Sequence, residues 1–173
     1  THTEIYKEAK NDILGKLIEG YSSCEKDSTK SFILQTIGDF LICLLNDFGS
    51  DIVDLAHQYF DLINQAIYFY SDMESNDDDR LTADEVFSSV AHSITCFNKM
   101  FKAIRDSGAD IDYRKIEREI HTTIRNFMKR VVKIRPTRST LNELGNMLDS
   151  QADITTREFN MLVNSRENRK SVV

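Results

Sequence analysis

The chain has 173 residues and a net charge of −6, from 28 acidic and 22 basic side chains. Forty per cent of the residues are hydrophobic, which is enough for a folded core and excludes a wholly disordered chain. One proline and six glycines are too few for the turns of an all-β fold, and no apolar run reaches the roughly 18 residues that a transmembrane segment needs.

Apolar residues recur at helical spacing along nearly the whole chain. They predict five long helices, at residues 4–21, 29–47, 51–72, 83–105 and 113–133, and two short C-terminal helices, at residues 139–148 and 156–165. Because the connections are short, neighbouring helices should pack antiparallel. We therefore expect an all-α antiparallel helical bundle forming a single domain over residues 1–165, followed by a polar, frayed tail at residues 166–173.

Two of the predicted helices differ in how their apolar residues are distributed. The second, at residues 29–47, is apolar over most of its circumference, so we expect it at the centre of the bundle. The fifth is amphipathic, with one apolar stripe formed by Ile116, Ile120, Ile124, Phe127 and Val131.

A six-residue motif, D-x-[GQ]-[AS]-D-I, recurs between helices at residues 47–52, 106–111 and 149–154. We interpret the motif as residues that end one helix and cap the next. Gly49 and Gly108 supply turn conformations that other residues adopt reluctantly. A cap by Asp112 follows the second copy of the motif and begins the fifth helix.

Two further helix starts have the sequence of a capping box, in which a hydroxyl and a carboxylate satisfy free backbone amides. The first box pairs Thr82 with Glu85, and the second pairs Thr155 with Glu158. These caps predict that the fourth helix and the last short helix begin directly after those threonines, at residues 83 and 156.

The acidic segment at residues 74–85 has a second interpretation. Oxygen-bearing side chains stand at the spacing that ligates Ca²⁺ in a twelve-residue loop, namely Glu74, Asn76, Asp78, Thr82 and Glu85. The segment resembles an EF-hand loop, and the resemblance implies calcium binding by those residues. It departs from the EF-hand pattern at Asp79, where the sharp turn takes glycine, and we favour the capping interpretation.

His92 and Cys96 are one helical turn apart, so both can face one Zn²⁺. Cys43 and His57 lie on neighbouring predicted helices and would supply the remaining ligands. Scattered histidines and cysteines in a bundle explain the same residues without a metal. Because no motif places a nucleophile beside a base, we expect no enzyme activity and no cofactor other than Ca²⁺ at residues 74–85.

The two parts of the chain differ in charge. Residues 1–112 hold 9 basic and 21 acidic side chains, a net of −12, and residues 113–173 hold 13 and 7, a net of +6. The candidate partner-binding residues lie on the fifth helix or at its predicted end: Arg118, Arg125, Lys129, Arg130 and Lys133.

These cations predict a non-enzymatic interaction or scaffolding module whose basic helix binds an acidic surface of another protein. An ordinary solvated helix face is the alternative. Nucleic acid is disfavoured, because the chain is acidic overall and has no aromatic residues between the basic ones.

The first residue is Thr1 rather than Met, so we expect a processed product or a piece of a longer protein. The chain shows no signal peptide and no Asn-x-Ser/Thr sequon, and its three cysteines are an odd number. These features favour a cytoplasmic protein, and a secreted mature chain is the alternative.

Overall fold

The computed structural model describes residues 2–49, 51–69, 77–133 and 135–171. These residues form six α-helices and one short 3₁₀ turn, in the order α1 His2–Ser23, α2 Asp27–Cys43, the turn Leu45–Asp47, α3 Asp51–Phe69, α4 Asp77–Asp106, α5 Tyr113–Val131 and α6 Arg138–Ser171. No strand occurs in this part of the chain. The prediction of an all-α helical bundle is confirmed.

The C-terminal region is one helix, and the prediction of two short helices there is wrong. The physical reason lies in the third copy of the connector motif. Gly49 and Gly108 have φ angles of 57° and 76°, in the left-handed region that ends a helix, whereas the third copy has Gln151 at the same place. Since Gln151 favours the helical conformation, α6 continues through it. Thr155 is therefore not a cap, and its hydroxyl donates to the Gln151 carbonyl one turn earlier.

The fourth helix begins at Asp77, six residues before the position that the capping box predicts. Thr82 therefore lies inside α4 and is not its cap. The helix therefore extends into a segment whose polarity predicted a loop.

The central helix of the bundle is α4, and the prediction that residues 29–47 occupy this place is wrong. Helix α4 contacts α2, α3, α5 and α6. Six consecutive residues of α4, at positions 93–98, are all buried, so every side of the helix is covered there. The polar residues Ser93, Thr95 and Asn98 lie within this run. The hydroxyls of Ser93 and Thr95 donate to carbonyls one turn earlier in the same helix, so neither hydroxyl is buried without a hydrogen-bond partner.

The fifth helix begins and packs as its sequence predicts. Asp112 is its N-cap, and its side chain accepts a hydrogen bond of 3.1 Å from the backbone amide of Lys115. Its entire predicted apolar stripe is buried: Ile116, Ile120, Ile124, Phe127 and Val131. This amphipathic packing leaves the basic side of α5 at the surface.

Contacts with Asp84 of α4 fix the start of α6. The Asp84 carboxylate accepts hydrogen bonds from the backbone amide of Thr137 at 2.9 Å and from its hydroxyl at 2.8 Å. The buried Thr140 hydroxyl donates to the Asp84 carbonyl at 3.2 Å. These bonds set the register of α6 against α4 and so determine which α6 side chains face His92.

Candidate functional site

Two groups of polar and charged side chains among the described residues are candidate functional sites. One is a groove between α3 and α5, which we call the basic groove. Its lining residues are Asn64, Gln65, Ile67, Tyr68, Thr123, Asn126, Lys129, Arg130 and Lys133. The other is a cluster that joins α2, α4 and α6, which we call the polar bridge. It consists of Asp39, His92, Cys96 and Glu143.

The basic groove has a volume of about 590 Å³. Its floor is fixed by a 2.8 Å hydrogen bond from the Thr123 hydroxyl to the Asn64 side-chain carbonyl, which ties α5 to α3. On its wall, the Arg130 guanidinium donates to the backbone carbonyl of Tyr68 at 3.4 Å. The Tyr68 side chain is 78% exposed, an unusual exposure for a large aromatic ring.

Three of the five predicted partner-binding residues line this groove, namely Lys129, Arg130 and Lys133. Lys129 and Lys133 are exposed, and within the described residues they form no ion pair. Arg118 and Arg125 are exposed on α5 but do not line the groove. Among the described lining residues none is acidic, so the groove concentrates positive charge on a protein that is negative overall.

His92 is the centre of the polar bridge. Its Nε2 lies 2.6 Å from Oδ1 of Asp39 on α2, and its Nδ1 lies 3.3 Å from Oε2 of Glu143 on α6. Cys96, one turn further along α4, donates from its thiol to the same Asp39 oxygen at 3.7 Å. Three helices therefore meet at one imidazole ring, and each of its two nitrogens contacts a carboxylate.

The interior side of the polar bridge is buried and tightly packed. Burial and the nearby Asp39 carboxylate raise the pKa of the Cys96 thiol to about 12. Burial also raises the pKa of the neighbouring Tyr59 well above its usual value, and the Tyr59 hydroxyl donates to the Leu34 carbonyl at 3.2 Å. Gly38 makes this packing possible, because a Cβ atom there would collide with the Tyr59 hydroxyl and lie 3.0 Å from the Cys96 Cβ.

The structure brings together two of the four predicted zinc ligands. His92 and Cys96 come together as their spacing predicts, and Asp39 joins them, with one ligand atom from each residue within 4.8 Å of the others. Cys43 and His57 are exposed and belong to no such group among the described residues. Sequence reasoning missed Asp39 and Glu143 because they stand 53 and 51 residues from His92 on other helices.

The five residues proposed to bind Ca²⁺ fall partly outside the described residues, since Glu74 and Asn76 precede Asp77. Asp78, Thr82 and Glu85 lie on the first turns of α4 rather than in a loop. Glu85 is exposed. Calcium binding at residues 74–85 stays a prediction.

Comparisons of this chain with protein-family models, with curated proteins and with solved structures gave no match. Among the helices of the described residues, none carries an apolar stretch sufficient to cross a bilayer.

Proposed function

We propose that this protein is a non-enzymatic interaction module that binds an acidic segment of another protein in the basic groove between α3 and α5. The observation that carries the proposal is the convergence of Lys129, Arg130 and Lys133 beside the exposed ring of Tyr68. An acidic peptide strand matches this groove in charge, and its apolar side chains would contact the tyrosine.

The chemistry of the lining supports a peptide ligand. Cationic side chains recognise carboxylates, and an exposed tyrosine supplies the rigid, amphipathic contact area that is enriched at the energetic centres of protein interfaces. The side-chain amides of Asn64 and Asn126 add donors and acceptors suited to a peptide backbone. Because the chain carries a net charge of −6, an acidic partner is repelled elsewhere and steered to this groove.

A protein partner fits better than a nucleic acid. Proteins that hold single strands stack successive bases on several aromatic side chains, and the groove is lined by a single aromatic residue, Tyr68, among the described residues. The overall acidity also opposes the broad phosphate contacts that give most of the affinity for nucleic acids.

The test is fluorescence anisotropy with a fluorescein-labelled peptide of glutamate, leucine and phenylalanine, compared with the same peptide carrying glutamine for glutamate. The groove variant is Lys129→Gln, Arg130→Gln and Lys133→Gln together. Its control carries Arg114→Gln, Lys115→Gln and Arg118→Gln, which removes the same charge from exposed positions at the other end of α5. Glutamine keeps good helix propensity in both variants.

We expect the wild type and the control to bind the acidic peptide, and the groove variant to lose about tenfold or more in affinity, equivalent to about 1.4 kcal/mol. The glutamine peptide should bind none of the three proteins. Equal losses in both variants would show attraction by total charge instead of recognition by the groove. Tighter binding of single-stranded RNA or of anionic lipid vesicles than of the peptide would also contradict the proposal.

A further inference from the structure

The polar bridge contains three different metal-binding side chains at distances that one ion can span. Two ligands of a tetrahedral Zn²⁺, bound at about 2.0–2.3 Å, lie roughly 3.3–3.7 Å apart. The Cys96 Sγ and Asp39 Oδ1 atoms are 3.7 Å apart. The His92 Nε2 and Asp39 Oδ1 atoms are 2.6 Å apart, so Asp39 has to withdraw by less than about 1 Å to admit the ion. Asp39 has room for that movement, because its side chain is 54% exposed.

The ligand types select a borderline-soft divalent ion. A thiolate and an imidazole favour Zn²⁺, whereas Ca²⁺ and Mg²⁺ take oxygen ligands. Once bound, the Cys96 thiolate and the Asp39 carboxylate together carry two negative charges, which neutralise the ion. The neutral charge balance is important because Cys96 is only 4% exposed, and an uncompensated charge at that depth is costly.

The helices already hold the ligands in place without the ion. His92 and Cys96 are spaced by one turn of α4, so their side chains leave the same face of the helix. Asp39 faces them from α2, where Gly38 lets the two helices approach closely. The His92 side chain is 26% exposed, so an ion can enter from solvent beside Asp39 and reach the buried thiol.

Glu143 has a different role from the three ligands. Its Oε2 lies 3.3 Å from His92 Nδ1, on the nitrogen that points away from Asp39. One imidazole cannot direct both nitrogens at one ion, so Glu143 is a positioning residue. When the ion is bound, Glu143 accepts a hydrogen bond from Nδ1–H and so fixes the tautomer whose Nε2 binds the metal, as carboxylates do behind many metal-bound histidines.

We propose that Asp39, His92 and Cys96 form a zinc-binding site between α2 and α4, with Glu143 orienting His92 and a water molecule as the fourth ligand. Binding displaces the thiol proton of Cys96 and the proton shared by His92 Nε2 and Asp39 into solvent. The ion reverses the effect of burial on the thiol, since a coordinating thiol is deprotonated outright. The ion joins α2 to α4 and opens one coordination position to solvent.

The test uses Co²⁺ as a spectroscopic substitute for Zn²⁺ in the full chain with Cys24→Ser and Cys43→Ser. Cys96 is then the only remaining cysteine, so any thiolate-to-cobalt charge-transfer band reports on Cys96. We expect that band together with the visible bands of tetrahedral Co²⁺, and their loss when Zn²⁺ is added. Circular dichroism verifies that the substituted chain keeps its helicity.

Ligand variants then identify the site. In the same background, Asp39→Asn and His92→Gln should each weaken Zn²⁺ binding by more than about 100-fold, since even outer partners of a metal site are worth about 10–100-fold. His57→Gln is the matched control, because His57 is an exposed histidine outside the cluster, and it should leave affinity unchanged. Absence of the charge-transfer band at saturating Co²⁺, or its survival in both ligand variants, would overturn the proposal.

Glu143→Gln separates positioning from ligation. We expect this variant to keep the charge-transfer band and to lose about 10–100-fold in Zn²⁺ affinity. If Glu143 acts only as a structural link between α6 and α4, the variant will change stability and leave the affinity unaltered. That result would remove the positioning role, and loss of the band would instead make Glu143 a direct ligand.

Discussion

Helices α4 and α5 have similar proportions of polar residues, but the bundle uses them in opposite ways. Helix α5 keeps its basic residues apart from its apolar ones, with the apolar stripe in the core and Arg118, Arg125 and Lys129 exposed, although Glu117 and Thr123 are buried beside the stripe. Helix α4 is covered on every side over residues 93–98, and three of those six residues are polar. The number of neighbouring helices, more than the residue type, therefore determines how buried each residue of these two helices is.

The same difference separates the two proposed sites. Lys129 on α5 and Lys133 just beyond its end are exposed, which suits the weak, salt-sensitive capture of an acidic partner proposed above. On α4, His92 and Cys96 are held between helices by Asp39 and Glu143, which suits the fixed geometry of a metal site. A change in surface charge should therefore affect the basic groove, and a change in helix packing should affect the polar bridge.

The largest expected effect comes from the same substitution at two threonines. Thr95 of α4 is 6% exposed, and Thr122 of α5 is exposed, although each donates to a carbonyl one turn earlier. Thr95→Asp should lower the free energy of unfolding by about 3–5 kcal/mol, because it leaves an uncompensated buried charge. Thr122→Asp should stay within about 0.5 kcal/mol of wild type. Urea denaturation measures both.

The pH dependence of the Thr95→Asp deficit provides a check on its cause. Burial raises the pKa of a carboxyl group, so the folded state at low pH keeps a proton that the unfolded state releases more easily. The deficit should therefore be full at neutral pH and shrink as pH falls through the raised pKa. A deficit that is independent of pH, or equal deficits at the two threonines, would contradict the burial of α4 on all sides.

Local signals in the sequence were sufficient for α5 and insufficient for α4. The α5 stripe, the Asp112 cap and the turns at Gly49 and Gly108 each depend on a few neighbouring residues, and all are confirmed. The burial of Asn98 depends on α6, where Ser150 accepts its side-chain hydrogen bond from 52 residues away. No local pattern in the sequence encodes that distance.

Some residues of the two candidate sites could also be predicted from local sequence, and others could not. The spacing of His92 and Cys96 on one helix could be read directly, as could the cluster of cations at Lys129, Arg130 and Lys133. Asp39 joins the polar bridge through the packing of α2 on α4, and Tyr68 joins the groove through the packing of α3 beside α5. Residues contributed by other helices were missed because their positions are set by tertiary contacts.

A second pair of variants tests how tightly α2 packs on α4. Gly38→Ala places a methyl group against Tyr59 and Cys96, both buried, whereas Gly145→Ala on α6 meets no atom within 4 Å. Alanine improves helix propensity by about 1 kcal/mol at either position. At Gly38 this gain is outweighed by overpacking of about 1–3 kcal/mol, so we expect a net loss there and a gain of about 1 kcal/mol at Gly145. Urea denaturation of both variants measures these opposite signs, and a gain at both positions would show that the α2–α4 contact is loose.

The smallest effects distinguish a true helix start from a false one. Asp112→Ala removes the cap of α5 and should cost about 0.5–2 kcal/mol in the free energy of unfolding. Thr155→Ala would cost a similar amount if Thr155 capped a short separate helix. Because Thr155 is exposed inside the continuous helix α6, we expect it to gain about 0.5 kcal/mol instead, from the better helix propensity of alanine. Thermal unfolding of the two variants decides between one C-terminal helix and two, since only a break before residue 156 makes both substitutions destabilising.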